Sequence, residues 1–164
     1  MNAAPLPVMT PPHAPVRVTA LGRSMAAGIA AACLVVLVLA AYLAPDPAGV
    51  GTTPRLGLPP CEFLQRTEIP CAGCGLTTSF NHFVRFEFLD AIWVQPLGFA
   101  LSAAAALTVW VAGYVAATGR PVHALIARSF AGRGAAVVVG IVAFAIAAWG
   151  WKIALTLLDR AGTG

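Results

Sequence analysis

Three of the four cysteines in this chain fall in one short stretch, at positions 61, 71 and 74. Cys71 and Cys74 form a Cys-x-x-Cys pair, and Cys61 precedes them in the same loop. Thiols spaced in this way can form a disulfide, carry out thiol–disulfide exchange or bind a soft metal ion such as zinc. The fourth cysteine, Cys33, lies among alanine, leucine and valine and is expected to pack as a small apolar residue. The chemistry of the chain is therefore expected at Cys61, Cys71 and Cys74.

The composition is that of a membrane protein. Of the 164 residues, 59% are hydrophobic and 10% are charged, whereas a soluble domain carries about 25% charged residues. The net charge of +4 comes from basic residues that are spread singly and form no run or stripe. Nucleic acid is therefore not an expected partner. The expected partner is the lipid bilayer, with arginines near the helix ends meeting anionic headgroups.

Three long uncharged stretches predict three membrane spans, at about 24–44, 95–118 and 134–158. At about 1.5 Å per residue, each can cross a hydrocarbon core of about 30 Å. Pro96 falls at the start of the second span, where its missing N–H costs little. Lys152 interrupts the third span near its end and is expected to extend toward the headgroups.

These spans divide the chain into three parts. Residues 1–23 hold five prolines, no acidic residue and no periodicity, which predicts a disordered arm. One membrane domain covers 24–158, with the cysteine loop and a short helix at 45–90, and 159–164 form a tail. The first span is expected to be an uncleaved anchor, because its apolar core exceeds the usual length of about 7 to 15 residues in signal peptides. The predicted fold class is an all-α membrane protein.

The charge distribution predicts which side each loop occupies. With three spans, the N-terminal arm and the 120–133 linker share one side, and basic residues divide evenly between the two sides. The linker packs three arginines into an acid-free connection, and Arg23 directly precedes the first span. The positive-inside rule then places the N-terminus in the cytoplasm and the cysteine loop outside the cell membrane.

The residues after Cys74 have helical periodicity and predict an amphipathic helix at the membrane interface. Its apolar face is formed by Leu76, Phe80, Phe83 and Val84. The opposite face, expected to meet water, is formed by Thr78, Asn81, His82 and Arg85. The hydroxyls of Thr77, Thr78 and Ser79 are expected to cap backbone N–H groups, because no second histidine or paired carboxylate shares their face.

The cysteine loop resembles a bacterial membrane family called domain of unknown function 2752. The matching blocks read Cys61, then Ile69-Pro70-Cys71-x-x-Cys74-Gly75-Leu76-Thr77, then Ala91-Ile92-x-x-Gln95-Pro96. The resemblance covers roughly residues 50 to 115. Four positions depart from residues common in that family: Ala72 stands for proline, Thr78 for arginine, Phe86 for glycine and Gln95 for asparagine. The resemblance implies a small multi-pass protein of no established activity, and no role of that arginine carries over.

Three interpretations of the cysteines remain open. A disulfide between two of them would staple the loop, by about 2 to 4 kcal/mol for a loop of about ten residues. A redox role would use Cys71 and Cys74 at a helix start, although a relay generally needs a second cysteine pair. A zinc knuckle would use all three cysteines, with Glu62, Glu68 or water as the fourth ligand. His82 is not expected to be that ligand, because eight helical steps place it about 12 Å from Cys74.

The spans themselves offer little chemistry. They lack the ionisable residues at mid-membrane depth that transporters and channels generally carry. Small residues recur four apart, which allows close packing between helices, self-association or contact with another membrane protein. Examples are Gly28 with Ala32, Gly98 with Ser102, Gly113 with Ala117, and Ala136 with Gly140. The leading hypothesis is a non-enzymatic membrane or partner-docking module with a disulfide-stapled outer loop. The alternatives are a thiol–disulfide oxidoreductase using Cys71 and Cys74, and a zinc-knuckle protein; no other cofactor is predicted.

Overall fold

A computed structural model describes residues 17–43, 61–67, 69–122 and 132–162. These residues are helical, without strands, and the helices are α1 (Ala20–Tyr42), α2 (Glu62–Thr67), α3 (Leu76–Val84), α4 (Phe88–Val94), α5 (Pro96–Thr118) and α6 (Gly134–Gly162). Three of them are long and apolar enough to cross a membrane: α1, α5, and α6 from Gly134 to Leu158. The predicted all-α fold with three candidate spans is confirmed.

The ends of the outer helices differ from the predicted boundaries. Helix α1 begins at Ala20 because Thr19 caps it, accepting a hydrogen bond from the Gly22 amide at 3.2 Å. Residues 20–23 of the predicted disordered arm are therefore helical, and residues 1–16 lie outside the described residues. Helix α6 continues to Gly162, so most of the predicted tail is also helical.

Helices α1 and α5 run antiparallel and form the most extensive helix–helix contact. The Val18 amide donates to the Gly119 carbonyl at 2.9 Å, which joins the start of α1 to the end of α5. The Arg23 guanidinium donates to the carbonyls of Ala116 and Ala117 at 2.9 and 3.1 Å. Helix α5 ends there because Gly119 adopts a left-handed conformation, with φ +69°. Arg23 thus covers carbonyls that the last turn of α5 leaves unpaired.

An arginine also covers the opposite end of this helix pair. Arg85, just past α3, donates to the carbonyls of Ala41 and Leu43 at 3.4 and 3.1 Å. The Ala41 carbonyl lies in the last turn of α1 and Leu43 is its C-cap, where carbonyls have no helical partners. A positive charge at a helix C-terminus is also favourable for the helix dipole. Arg85 therefore links α3 to the end of α1.

Helix α3 packs against the start of α5 at a small-residue contact. A Cβ placed on Gly98 would lie 2.6 Å from the Ser79 Cβ, so glycine is what allows this approach. By contrast, nothing lies within 4 Å of a Cβ placed on Gly28, Gly113 or Gly140. Of these four glycines from the predicted packing pairs, only Gly98 marks a close contact within the chain.

Helix α6 contacts the other described helices and the cysteine loop mainly through its C-terminal half. The Trp151 indole donates to the Trp93 carbonyl at 3.2 Å, and the two rings meet edge to face at 5.3 Å between centroids. Ala148 and Lys152 are buried, one turn apart on α6. The prediction that Lys152 extends to the headgroups is wrong, because its helix face is turned toward the protein. The N-terminal half of α6 exposes apolar side chains, as a lipid-facing helix does.

A candidate three-cysteine centre

The Cys-x-x-Cys segment forms a tight turn that leads into α3. The Cys74 amide donates to the Cys71 carbonyl at 3.0 Å, and Gly75 adopts φ +89° just before the helix. A side chain at Gly75 would be strained in this left-handed conformation. The turn brings the Sγ atoms of Cys71 and Cys74 to 3.1 Å.

Cys61 joins this pair from a separate segment. It directly precedes α2, and its carbonyl accepts a hydrogen bond from the Gln65 amide at 3.0 Å. The Sγ atoms of Cys61, Cys71 and Cys74 all lie within 4.8 Å of one another. Cys74 is buried, and the other two are partly exposed. The structure therefore brings together the three cysteines that the sequence singled out, while Cys33 lies in α1.

The surroundings of the thiols give them different acidities. Burial, followed by the hydrogen bond with the Cys71 thiol, raises the pKa of Cys74 to about 12. Hydrogen bonding from the Leu64 amide, followed by that from the Cys71 thiol, lowers the pKa of Cys61. In the absence of a metal ion, Cys61 ionises more readily than Cys74.

Side chains from two other helices hold the backbone on either side of Cys71. The Trp149 indole, on α6, donates to the Pro70 carbonyl at 3.0 Å. The Gln95 carboxamide, at the start of α5, donates through Nε2 to the Ala72 carbonyl at 3.1 Å. Gln95 belongs to the family pattern described above, but neither Gln95 nor Trp149 had a predicted role in the site.

Helix α3 was predicted at this position, and its polar face differs from expectation. Leu76, Phe80, Phe83 and Val84 are partly exposed. Thr78 and Asn81, expected to face water, are buried, so that part of the prediction is wrong. The cause is tertiary packing, because α3 contacts α1, α4 and α5, which cover these side chains.

Ser79 has a different role from the one predicted. The N-cap position of α3 is Gly75, and no side chain caps it. The Ser79 hydroxyl instead lies within hydrogen-bond distance of the carbonyls of Ala91 and Gln95, at 2.8 and 3.2 Å. Ser79 therefore ties α3 to the junction between α4 and α5. Its placement explains why a small hydroxyl residue opposes Gly98.

Two residues weighed as a fourth ligand, His82 and Glu62, pair with other side chains. His82 Nδ1 lies 2.6 Å from Glu87 Oε2, and His82 groups with Glu87 and Asp90 rather than with the thiols. Glu62 is exposed and pairs with Arg66 at 2.5 Å. The predicted candidate Glu68 is outside the described residues.

The three sulfur atoms lie close enough together to bind one metal ion. Zinc binds thiolate sulfur at about 2.3 Å, which sets about 3.8 Å between sulfurs that share one ion. All three Sγ atoms lie within 4.8 Å of one another. The Cys71–Cys74 pair, at 3.1 Å, would open by about 0.7 Å to reach the spacing that a shared zinc ion sets. Bound zinc would also favour thiolate at the buried Cys74. Three protein ligands leave the fourth coordination position to water or another molecule.

Residues 61–110 match the model of a family described as protein of unknown function (DUF2752). The match confirms the resemblance and covers the cysteine centre, α3, α4 and the first part of α5. No curated protein and no solved structure matches the chain.

Proposed function

We propose that this membrane protein is a non-enzymatic module that binds zinc at Cys61, Cys71 and Cys74. The observation that carries the proposal is the convergence of three thiols from two segments within 4.8 Å. A staple needs only two thiols, and a staple between Cys71 and Cys74 would close a loop of only four residues. By loop entropy, that closure stabilises by about 2 kcal/mol. A metal ion would use all three sulfurs and fix α2 to the start of α3.

The module would present this metal-fixed loop at the membrane surface to a lipid or protein partner. The arginine distribution supports a cytoplasmic N-terminus and a loop outside the cell membrane. Structural metal ions commonly fix short segments that have little core of their own. Residues 61–75 are such a segment, since the buried residues among those described are Pro70, Cys74 and Gly75.

Thiol–disulfide exchange is the second candidate function. Its support is the 3.1 Å approach of Cys71 and Cys74 in a turn that leads into α3. Cys61 lies close enough to attack a disulfide between them. In that reaction the Cys61 thiolate would form a new bond to one sulfur of the disulfide, and the other sulfur would leave as thiolate.

One preparation tests both candidates. The full chain is purified in detergent without added chelator, its zinc content is measured, and its thiols are trapped with an alkylating reagent before mass spectrometry. We expect about one zinc per chain, lost in each of Cys61→Ser, Cys71→Ser and Cys74→Ser and kept in the matched control Cys33→Ser. A zinc-free protein with a reversible Cys71–Cys74 disulfide would favour exchange chemistry, and a permanent disulfide would favour the staple.

A further inference from the structure

We infer that Gln95 and Trp149 are positioning residues of the three-cysteine centre, acting through the two carbonyl groups that flank Cys71. The metal-binding part of this inference rests on the proposed function. Cys71 lies outside any helix, so helical hydrogen bonds do not fix its backbone. The direction of its Sγ therefore depends on how the peptide groups on either side are held.

The two donors come from distant parts of the chain and hold the carbonyls of Pro70 and Ala72. Gln95 is 23 residues from Ala72, and Trp149 is 79 residues from Pro70. The loop is thus attached to α5 on one side of Cys71 and to α6 on the other. If either attachment is lost, Cys71 is free to move relative to Cys61 and Cys74.

Gln95 is well suited to hold the loop because it is itself fixed. Its side chain is fully buried, and its backbone carbonyl lies 3.2 Å from the Ser79 hydroxyl. Its backbone N–H donates to the backbone carbonyl of Ala91, near the end of α4, at 3.2 Å. Burial and these backbone bonds restrict the side chain, whose Nε2 donates to the Ala72 carbonyl. Its Oε1 is buried without a hydrogen-bond partner among the described residues, so the bond to Ala72 is the one that orients the carboxamide.

Trp149 is fixed through its helix. The same end of α6 is anchored by the contact of Trp151 with Trp93, and Ala148 and Lys152 are buried beside it. Trp151 also donates an indole N–H to a backbone carbonyl, but that carbonyl belongs to Trp93 and not to the cysteine loop. Trp151→Phe keeps an aromatic ring beside Trp93 and removes only this N–H donor, so it is a matched control for the indole of Trp149.

The test compares Trp149→Phe and Gln95→Leu with Trp151→Phe in the full chain. Zinc affinity is measured by competition with a chromophoric chelator, and the cobalt(II) form gives the sulfur-to-metal charge-transfer spectrum. Residues that orient metal ligands typically change affinity by about 10- to 100-fold. We expect a loss of that size and a changed cobalt spectrum for Trp149→Phe and Gln95→Leu, and less than about threefold for Trp151→Phe.

A second readout does not depend on metal. Phenylarsine oxide, a trivalent arsenical, binds tightly only where two thiols lie close together, so its affinity reports the sulfur arrangement even if the chain binds no zinc. We expect Trp149→Phe and Gln95→Leu to weaken it and Trp151→Phe to leave it unchanged. Unchanged arsenical affinity in the first two variants would overturn the inference, as would an equal loss in all three. Absence of zinc from the wild type would instead contradict only the proposed function.

Discussion

Gly98 on α5 lies so close to Ser79 on α3 that a Cβ at position 98 would come within 2.6 Å of the Ser79 Cβ and 2.9 Å of its Oγ. This contact sets the distance between the helix that follows the cysteines and the second candidate span. It also allows the Ser79 hydroxyl to reach the carbonyls of Ala91 and Gln95. Helix α3, which follows the cysteine loop, is therefore joined to α5 at a position where no side chain fits.

We expect Gly98→Ala to destabilise the protein by about 1 to 3 kcal/mol, the usual cost of overpacking a close contact. Gly113→Ala on the same helix is the matched control, because nothing lies within 4 Å of its Cβ. That control is expected to be neutral or slightly stabilising, since alanine favours helix over glycine. Unfolding in mixed detergent micelles measures both changes. Equal stability of the two variants would contradict the close contact.

Phe86 is strained, and its replacement by glycine is expected to stabilise the chain. It has φ +64°, a left-handed conformation, in the turn that ends α3. The Glu87 amide donates to the His82 carbonyl at 3.0 Å, which is the long bond of a Schellman turn. A non-glycine residue in this conformation costs about 1 to 2 kcal/mol. Because Phe86 is 81% exposed, little packing opposes this gain.

Phe86→Ala is the control for Phe86→Gly. It removes the ring and its 5.9 Å contact with Phe88 but keeps the Cβ that causes the strain. The difference in unfolding free energy between the glycine and alanine variants isolates the backbone term, expected at about 1 kcal/mol. A glycine variant no more stable than the alanine variant would show that the turn does not hold this conformation.

The sequence predicted the three spans well because their signal is local. A run of about twenty apolar residues is long enough to cross a bilayer whatever the rest of the chain does. Helix α1 still began earlier than predicted, because its start depends on the single hydrogen bond from Gly22 to Thr19. The spacing of Cys61, Cys71 and Cys74 likewise suggested a cluster, although it did not decide among three chemistries.

The orientation of polar residues was not predictable from periodicity. A helical pattern at Thr78 and Asn81 shows that they share a face but not whether that face meets water or protein. Lys152 was misplaced for the same reason, since its helix face is set by where Trp149 and Trp151 dock. The link from Gln95 to the loop depends on tertiary contact over 23 residues. No local sequence signal carries such information.

Arg23 has two separable effects, and Arg23→Lys distinguishes them. Lysine keeps the positive charge that, in the proposed topology, directs the N-terminus to the cytoplasm. It cannot reproduce the two guanidinium bonds to the carbonyls of Ala116 and Ala117. We expect unchanged topology in a reporter fusion and a loss of about 1 kcal/mol in unfolding free energy, because the bonds are solvent-exposed. A topology change in Arg23→Lys would contradict this division.

The sidedness of the cysteine loop is testable in intact cells. If the loop lies outside, a membrane-impermeant maleimide should label Cys61 without cell lysis, because this thiol is partly exposed. A variant keeping only Cys61 gives the signal, and a variant keeping only Cys33, within α1, gives the background. Labelling of Cys61 only after lysis would place the loop in the cytoplasm. A reducing compartment would then exclude a stable disulfide staple.

The order in which the metal-free thiols react should follow their environments. Only the thiolate is alkylated, so a lowered pKa increases the reactive fraction at a given pH and a raised pKa decreases it. The lowered pKa of Cys61 predicts that it reacts first near neutral pH. The pKa of Cys74, raised to about 12, predicts slow reaction that accelerates as pH rises throughout the measurable range. Alkylation of chelator-treated protein, followed by peptide mass spectrometry across pH, measures both profiles.

Burial alone would slow the alkylation of Cys74 at every pH without changing the shape of its pH profile. In denaturing detergent the pH profiles of Cys61 and Cys74 should converge. A Cys74 profile that levels off at or below that of Cys61 in the folded protein would contradict the arrangement of the three-cysteine centre described above.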